Sequence, residues 1–236
     1  MGKKPNRTFA IVLLCVFSAC LNALAMLVFR LVLETPLYFD TVFTAMAAFC
    51  WGLWPGILTG LLTNFIINTV WFAGWGGYLF GICNGIVALV TVLFVRLCPD
   101  ELDLEREDLS LGSKRLYGVL YRVMALFLLA FALTAALSIS GGFIAFCIKA
   151  FIPGSAGITG PEEFYALPLV GRTLSILLVE ILSRIPVNVP DRLLTAFCGY
   201  ALARGLKAAA RRRRKYARNG LAQKTGWLNL SKNADF

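Results

Sequence analysis

Three asparagines stand in stretches that are otherwise almost wholly apolar: Asn64, Asn84 and Asn188, with Thr63 and Ser140 in similar settings. An amide side chain carries both donors and an acceptor, and at lipid depth it has two uses. It can tie helices together, at about 0.6 kcal/mol per hydrogen bond. It can also be a polar point in an apolar pocket that orients a small ligand. Each of the three lies close to a Gly or Pro break, which favours the pocket. The segment WFAGWGGY, residues 71–78, reads as an aromatic and glycine loop at a membrane interface and adds Trp75 and Tyr78 as a stacking surface for a flat, ring-containing molecule. Asp40 and Glu180 join the candidate binding set. Both also belong, with Glu162 and Glu163, to the acids that can pair with Arg172 and Arg184.

Catalysis has little to stand on. The chain has no His, which removes the usual proton shuttle, the commonest metal ligand and the base of a Ser-His or Cys-His pair. There is no GxxxxGK[ST] phosphate loop, no GxSxG elbow, and no pair of acids at metal-ligand spacing within an apolar run. Ser155, in Gly154-Ser155-Ala156-Gly157, has no imidazole to activate it. The seven cysteines are scattered without a CxxC, so they read as small buried hydrophobes. Neither an enzymatic activity, a cofactor nor a metal is expected.

The elements that must position these side chains are apolar. Of 236 residues 58% are hydrophobic and 15% charged, with a mean hydropathy of +0.74. Soluble domains hold about 25% charged residues, so the composition is that of an integral membrane protein. No charge occurs from Thr41 to Val95. The expected helices are Thr8–Val32, Phe39–Trp51, Pro55–Val70, Leu79–Leu97, Leu116–Ala150 (bent or ended near Ser138–Gly142) and a last one opened by Pro186–Asp191 and running to about Leu206. Residues 166–185, interrupted by Arg172, Glu180 and Arg184, read as a partly buried or re-entrant helix. Trp51-Gly52-Leu53-Trp54-Pro55-Gly56 breaks the second and third helices into an antiparallel hairpin. Residues 99–115, with six acids between Asp100 and Asp108, read as a solvated loop.

Charge sets the orientation. Of the 23 Lys and Arg, 18 fall at the N-terminus, between Arg96 and Arg122, or from Arg204 onward, leaving Arg30, Lys149, Arg172, Arg184 and Arg192 for the outward side. Placing those on one side obeys the positive-inside rule only with an even number of spans. The fold class expected is therefore an all-α bundle of six transmembrane helices over residues 1–208 with both termini cytoplasmic, followed by a basic tail over 209–236. A basic tail beside a bilayer suits anionic lipid, and nucleic acid is not an expected partner.

Four places in the sequence resemble the substrate-binding (S) components of energy-coupling factor (ECF) transporters, vitamin-uptake relatives of ABC importers. Ala19-x-x-x-Ala23 in the first helix is similar to the small-residue face by which those proteins meet their coupling subunit. Asp40, the alanines 45, 47 and 48, the Gly52-x-x-Pro55-Gly56 break and Asn64 resemble their second and third helices. Gly81-Ile-Cys-Asn84 resembles the opening of their fourth helix, and Pro186-Val-Asn188-Val-Pro-Asp191 that of their sixth, with Asp191 where riboflavin-type members tend to have Lys. The resemblance implies a six-helix S component in the cell membrane that captures a vitamin-like small molecule with high affinity. It implies a coupling transmembrane subunit and two ABC-type ATPases as partners, docking through Ala19 and Ala23, and a binding site holding Asp40, Trp75, Tyr78, Asn84, Glu180 and Asn188. The alternative is a membrane sensory module that binds a ligand or partner without transport. Such modules share Gly/Pro-broken hairpins with Asn but normally lead into a long signalling domain.

Overall fold

A computed structural model describes residues 7–32, 37–71, 75–104, 113–151, 165–166 and 174–232. The described residues form helices and no strands: α1 (Arg7–Leu31), α2 (Val42–Trp51), α3 (Leu53–Trp71), α4 (Trp75–Leu79), α5 (Gly81–Leu97), α6 (Ser113–Phe151) and α7 (Ile176–Lys232). Thr8–Arg30, Leu53–Val70, Trp75–Leu97 and Leu116–Phe151 are each long and apolar enough to cross a membrane. α2 is as apolar but has ten residues, and at 1.5 Å per residue it reaches about 15 Å, half of a hydrocarbon core.

Side-chain contacts give the direction of each packed pair. Cys15 lies against Pro55 and Asn22 against Thr63, so α1 and α3 run parallel, with α2 returning between their ends. Gly60 packs on Asn84 and Gly56 on Ala88, which makes α3 and α5 antiparallel. Cys83 meets Ser140 while Arg122 reaches the Glu101 carbonyl, so α5 and α6 are antiparallel as well. α6 and α7 are antiparallel through Lys149–Glu180, Ser138–Asn188 and Phe127–Phe197. α7 then runs parallel to α2, from Thr41–Thr195 to Cys50–Ala203.

The burial pattern is inverted relative to a soluble protein. On α1 the covered side holds Cys15, Ser18, Ala19, Asn22, Ala23 and Met26, while Phe9, Leu13, Phe17 and Leu24 are exposed. Across the bundle Asn22, Thr41, Thr44, Thr63, Asp191 and Thr195 are buried, and Leu61, Phe65, Leu89, Leu128 and Phe131 face outward. In water so broad an apolar surface would aggregate. In lipid it is the solvent-matched face, and polar side chains find partners only inside. The apolar centre is Phe49, Val87, Leu129, Leu133, Ala196 and Tyr200, with Phe49 edge-on to Tyr200 at 5.5 Å.

Several elements differ from the sequence reading. α2 starts at Val42 because Phe39 takes a left-handed conformation, φ 51°, that no helix continues through. The aromatic segment is largely helical, since α3 extends to Trp71 and α4 covers Trp75–Leu79. α6 shows no break at Ser138–Gly142. Ser140 bonds back to the Ala136 carbonyl at 2.7 Å, and Gly142 lets α7 approach so closely that a Cβ there would lie 2.9 Å from the Ile181 nitrogen. Pro186 does not open a separate helix. It is exposed and Pro190 half-exposed, so each removes one helical N–H on the outer side while Val187, Asn188, Asp191 and Arg192 keep the inner side packed. The acidic loop is solvated only in part: Leu102 is 1% exposed and belongs to the apolar centre, with Leu104 beside it. Arg122 Nε donates to the Glu101 carbonyl at 3.2 Å and Tyr200 Oη to the Asp103 carbonyl at 3.5 Å, pinning the turn across that end of the bundle.

Candidate functional site

α7 supplies most of the site. Its buried side carries Glu180, Ser183, Arg184, Asn188, Asp191, Arg192 and Thr195, spaced three and four apart so that they share one face. Over 15 residues this polar face extends about 22 Å along the helix. Ionisable groups inside an apolar bundle are expensive and need partners.

The inner end of that face grips the chain just before α2. Asp191 Oδ1 accepts the Phe39 backbone N–H at 3.1 Å, and Asp191 Oδ2 pairs with Arg192 Nη2 at 2.6 Å. Arg192 Nη1 donates to Thr41 Oγ1, which also shares a hydrogen bond with Thr195 Oγ1 at 3.0 Å. Phe39 holds its left-handed backbone while its ring stacks on Phe29, centroids 3.8 Å apart. A non-Gly residue in this region costs about 1–2 kcal/mol, so the Asp191 bond and the ring stack fix a conformation the backbone would not choose alone.

Asn84 approaches from α5. Its amide nitrogen donates to the Gly60 carbonyl at 3.2 Å and lies 3.5 Å from Asp40 Oδ2. Gly60 permits this, because a Cβ there would sit 2.9 Å from the Asn84 carbonyl oxygen. The remaining oxygen of Asp40, Oδ1, is sealed from solvent without a hydrogen-bond partner, and Arg192 Nε is in the same position. Ionisable Asp40, Asp191 and Arg192, amide Asn84 and hydroxyls Thr41 and Thr195 thus converge where the start of α2 meets α5 and α7. Among the described residues no three His, Cys, Asp or Glu side chains are placed to hold a metal.

Two of the other sequence candidates take part in separate contacts along the same face. Asn188 donates to Ser138 Oγ at 2.9 Å, and Thr134 Oγ1 donates to the Asn188 carbonyl at 3.5 Å, which joins α6 to α7. Glu180 accepts from Lys149 at 2.6 Å near the α7 N-terminus. Between them Arg184 lies over the Phe80 ring, 5.3 Å from its centroid, and against Gly141. Glu162, Glu163 and Arg172 lie outside the described residues.

Trp75 and Tyr78 stand apart from this cluster. Trp75 is 88% exposed and leans on Tyr78, which packs on Phe65 and shares a hydrogen bond with Thr69. Asn64 acts as a joint. With its amide assigned the orientation that satisfies both ends, its oxygen accepts the Gly81 N–H and its nitrogen donates to the Tyr78 carbonyl, so α3 holds the junction of α4 and α5. Ala19 and Ala23 are 0% and 7% exposed, packed on the side of α1 that faces α2 and α3. The α1 surface open to another molecule is the opposite one, with Phe9, Leu13 and Phe17.

The sequence reading passed over Asn22 as a binding node, counted Arg192 only as one of the outward charges, and treated Asp191 as a departure from a pattern. An Asp-Arg pair inside an apolar helix was the available signal. No protein-family model matches the chain, and comparison with curated proteins and with solved structures finds no match either.

Proposed function

We propose that the chain is the substrate-capture subunit of an ECF-type importer, seated in the cell membrane with six spans and both termini in the cytoplasm. The four long apolar helices support the location. α2 and the first half of α7, lying among them, would complete the six. The observation that carries the reading is the Asp40–Asn84–Asp191–Arg192 cluster, where charged and amide groups converge inside an apolar bundle and leave Asp40 Oδ1 and Arg192 Nε unmatched. An ionisable residue at such depth is a functional-site hypothesis by default, and a few convergent polar groups among apolar side chains suit a small vitamin-like molecule. Energy would come from two ABC-type ATPases through a coupling membrane subunit, and anionic lipid would lie at the basic tail. Because Ala19 and Ala23 are covered by the chain's own helices, a coupling subunit would meet the outer face of α1 or displace α3.

The test is affinity purification of the tagged full chain from its own membranes, with native mass spectrometry of the product. Two ATPases, a second membrane protein and a bound metabolite that Arg192→Ala loses are the expected result. A chain that purifies with none of these sinks the proposal. One observation favours a sensory module instead: α7 leaves the bundle as continuous helix to Lys232, the form an output helix takes. Recovery of a signalling protein in place of the ATPases would support that reading.

A further inference from the structure

We infer that the basic stripe on the bundle side of α7 docks on the chain's own acids Asp100, Glu101 and Asp103, which leaves Arg212 and Arg213 to meet the anionic lipid surface. This holds whatever the polar cluster binds. Beyond Ala203 the cations of α7 keep a helical rhythm. Arg204, Lys207, Arg211 and Lys215 follow Tyr200 at steps of four, three, four and four, so they share one face. Tyr200 Oη reaches the Asp103 carbonyl, which turns that face toward the acids. Arg204, Lys207 and Arg211 are accordingly half-buried, whereas Arg212 and Arg213 are exposed. Lys207 lies within electrostatic reach of Cys50, whose thiol donates to the Ala203 carbonyl, so its charge stays at the end of the bundle. Arg213 continues a different row, that of the exposed Leu202 and Leu206, on the side turned to lipid.

Two more helices bring positive charge to the same end. Arg96 lies in the last turn of α5, and Arg122 on α6 donates to the Glu101 carbonyl. The Phe127–Phe197 and Ser138–Asn188 contacts set the register of α6 against α7, and in that register Arg204 stands level with the turn that carries Arg122. Charges of one sign gathered in this way repel. Lys207, Arg211 and Lys215, each four residues from the next, also repel along their own helix. The helix nevertheless runs on to Lys232. Asp100, Glu101 and Asp103 supply the counter-charge, held across that end by the burial of Leu102 and Leu104. None of Asp100, Asp103, Arg204 and Arg211 is without a partner. Exposed ion pairs are weak singly and gain from being a network.

Lys207 gives a probe. The full chain is placed in nanodiscs of phosphatidylcholine alone and of equal parts phosphatidylcholine and phosphatidylserine. A carbodiimide then joins carboxylates to amines that touch them, and the joined peptides are identified by mass spectrometry. Lys207 joined to Asp100, Glu101 or Asp103 is expected in both membranes. Lys207 left unjoined, or joined only to other acids, overturns the inference. So does a link that disappears with phosphatidylserine, because the membrane would then hold the stripe. A second measurement is amide hydrogen exchange over residues 204–215 in phosphatidylcholine. Asp100→Asn with Glu101→Gln and Asp103→Asn keeps Leu102 and Leu104 packed but leaves the stripe without counter-charge. Exchange there should quicken by about threefold or more, the scale set by several like-charge pairs at this spacing. Unchanged exchange would mean that packing alone holds the helix, and overturns the inference even where the link forms.

Discussion

Asp191 Oδ1 and the Phe39 amide meet at 3.1 Å across 152 residues of sequence, so a carboxylate on α7 fixes the turn into α2. The same carboxylate neutralises Arg192, which in turn holds Thr41. One side chain therefore secures both a backbone conformation and a buried cation, and its removal should show both effects.

Asp191→Ala should destabilise the purified chain by about 3–5 kcal/mol, because it leaves Arg192 buried without its counter-charge. Asp191→Asn keeps an acceptor for Phe39 and should lose less. Replacing the pair, Asp191→Leu with Arg192→Met, should recover most of the loss. Thermal unfolding in detergent would decide, and equal midpoints for all three variants would show that the pair does not hold the turn.

Asn22 donates to Thr44 and Thr63 at 3.0 Å each and accepts the Phe43 N–H at 2.9 Å, joining three helices through one side chain. Membrane hydrogen bonds average about 0.6 kcal/mol, so Asn22→Leu should lose about 2 kcal/mol. Thr44→Val and Thr63→Val should each lose a fraction of that. A double-mutant cycle with no coupling between Asn22 and either Thr would contradict the node.

Gly60 and Gly85 offer a matched contrast. A Cβ at Gly60 would lie 2.9 Å from the Asn84 carbonyl oxygen, whereas one at Gly85 meets nothing within 4 Å. Gly60→Ala should force α3 and α5 apart at a cost of about 1–3 kcal/mol, and Gly85→Ala should be neutral or slightly stabilising. The ranking of the two melting temperatures is the measurement; the reverse order would refute the close approach.

Leu102 is buried in a stretch dominated by acids. Leu102→Ala should therefore behave as a core truncation and lose about 2–5 kcal/mol. Glu101→Gln should change little, because it is the Glu101 backbone carbonyl that Arg122 uses. If Leu102→Ala were as mild as Glu101→Gln in denaturant titration, the segment would not be part of the packed end.

What could be read in advance was periodicity and composition. The apolar runs, the tight hairpin at Gly52 and the set of polar residues at depth all follow from local sequence. What could not be read was which polar group pairs with which. Asn64 and Asn84 look alike in sequence, yet Asn64 only joins helices, whereas Asn84, seated against α3 where Gly60 allows α5 to approach, also reaches Asp40. Trp75 has the composition of a binding surface but stays exposed, because the buried side of the short α4 is taken by Gly76 and Gly77. Pro186 reads as a boundary, but a proline on the outer side of a well-packed helix removes one hydrogen bond without ending the helix. The small residues Ala19 and Ala23 mark a close helix contact correctly in kind, and spacing says nothing about whether the partner helix belongs to the same chain.

α7 connects Arg192 to Lys232 without interruption. At 1.5 Å per residue that is about 60 Å of helix beyond the buried cation. A tilt of about 5° at Arg192, smaller than the crossing-angle scatter of packed helices, would swing the Lys232 end through roughly 5 Å. The helix is thus a lever with its short arm in the polar cluster, and movement there is magnified at the basic end.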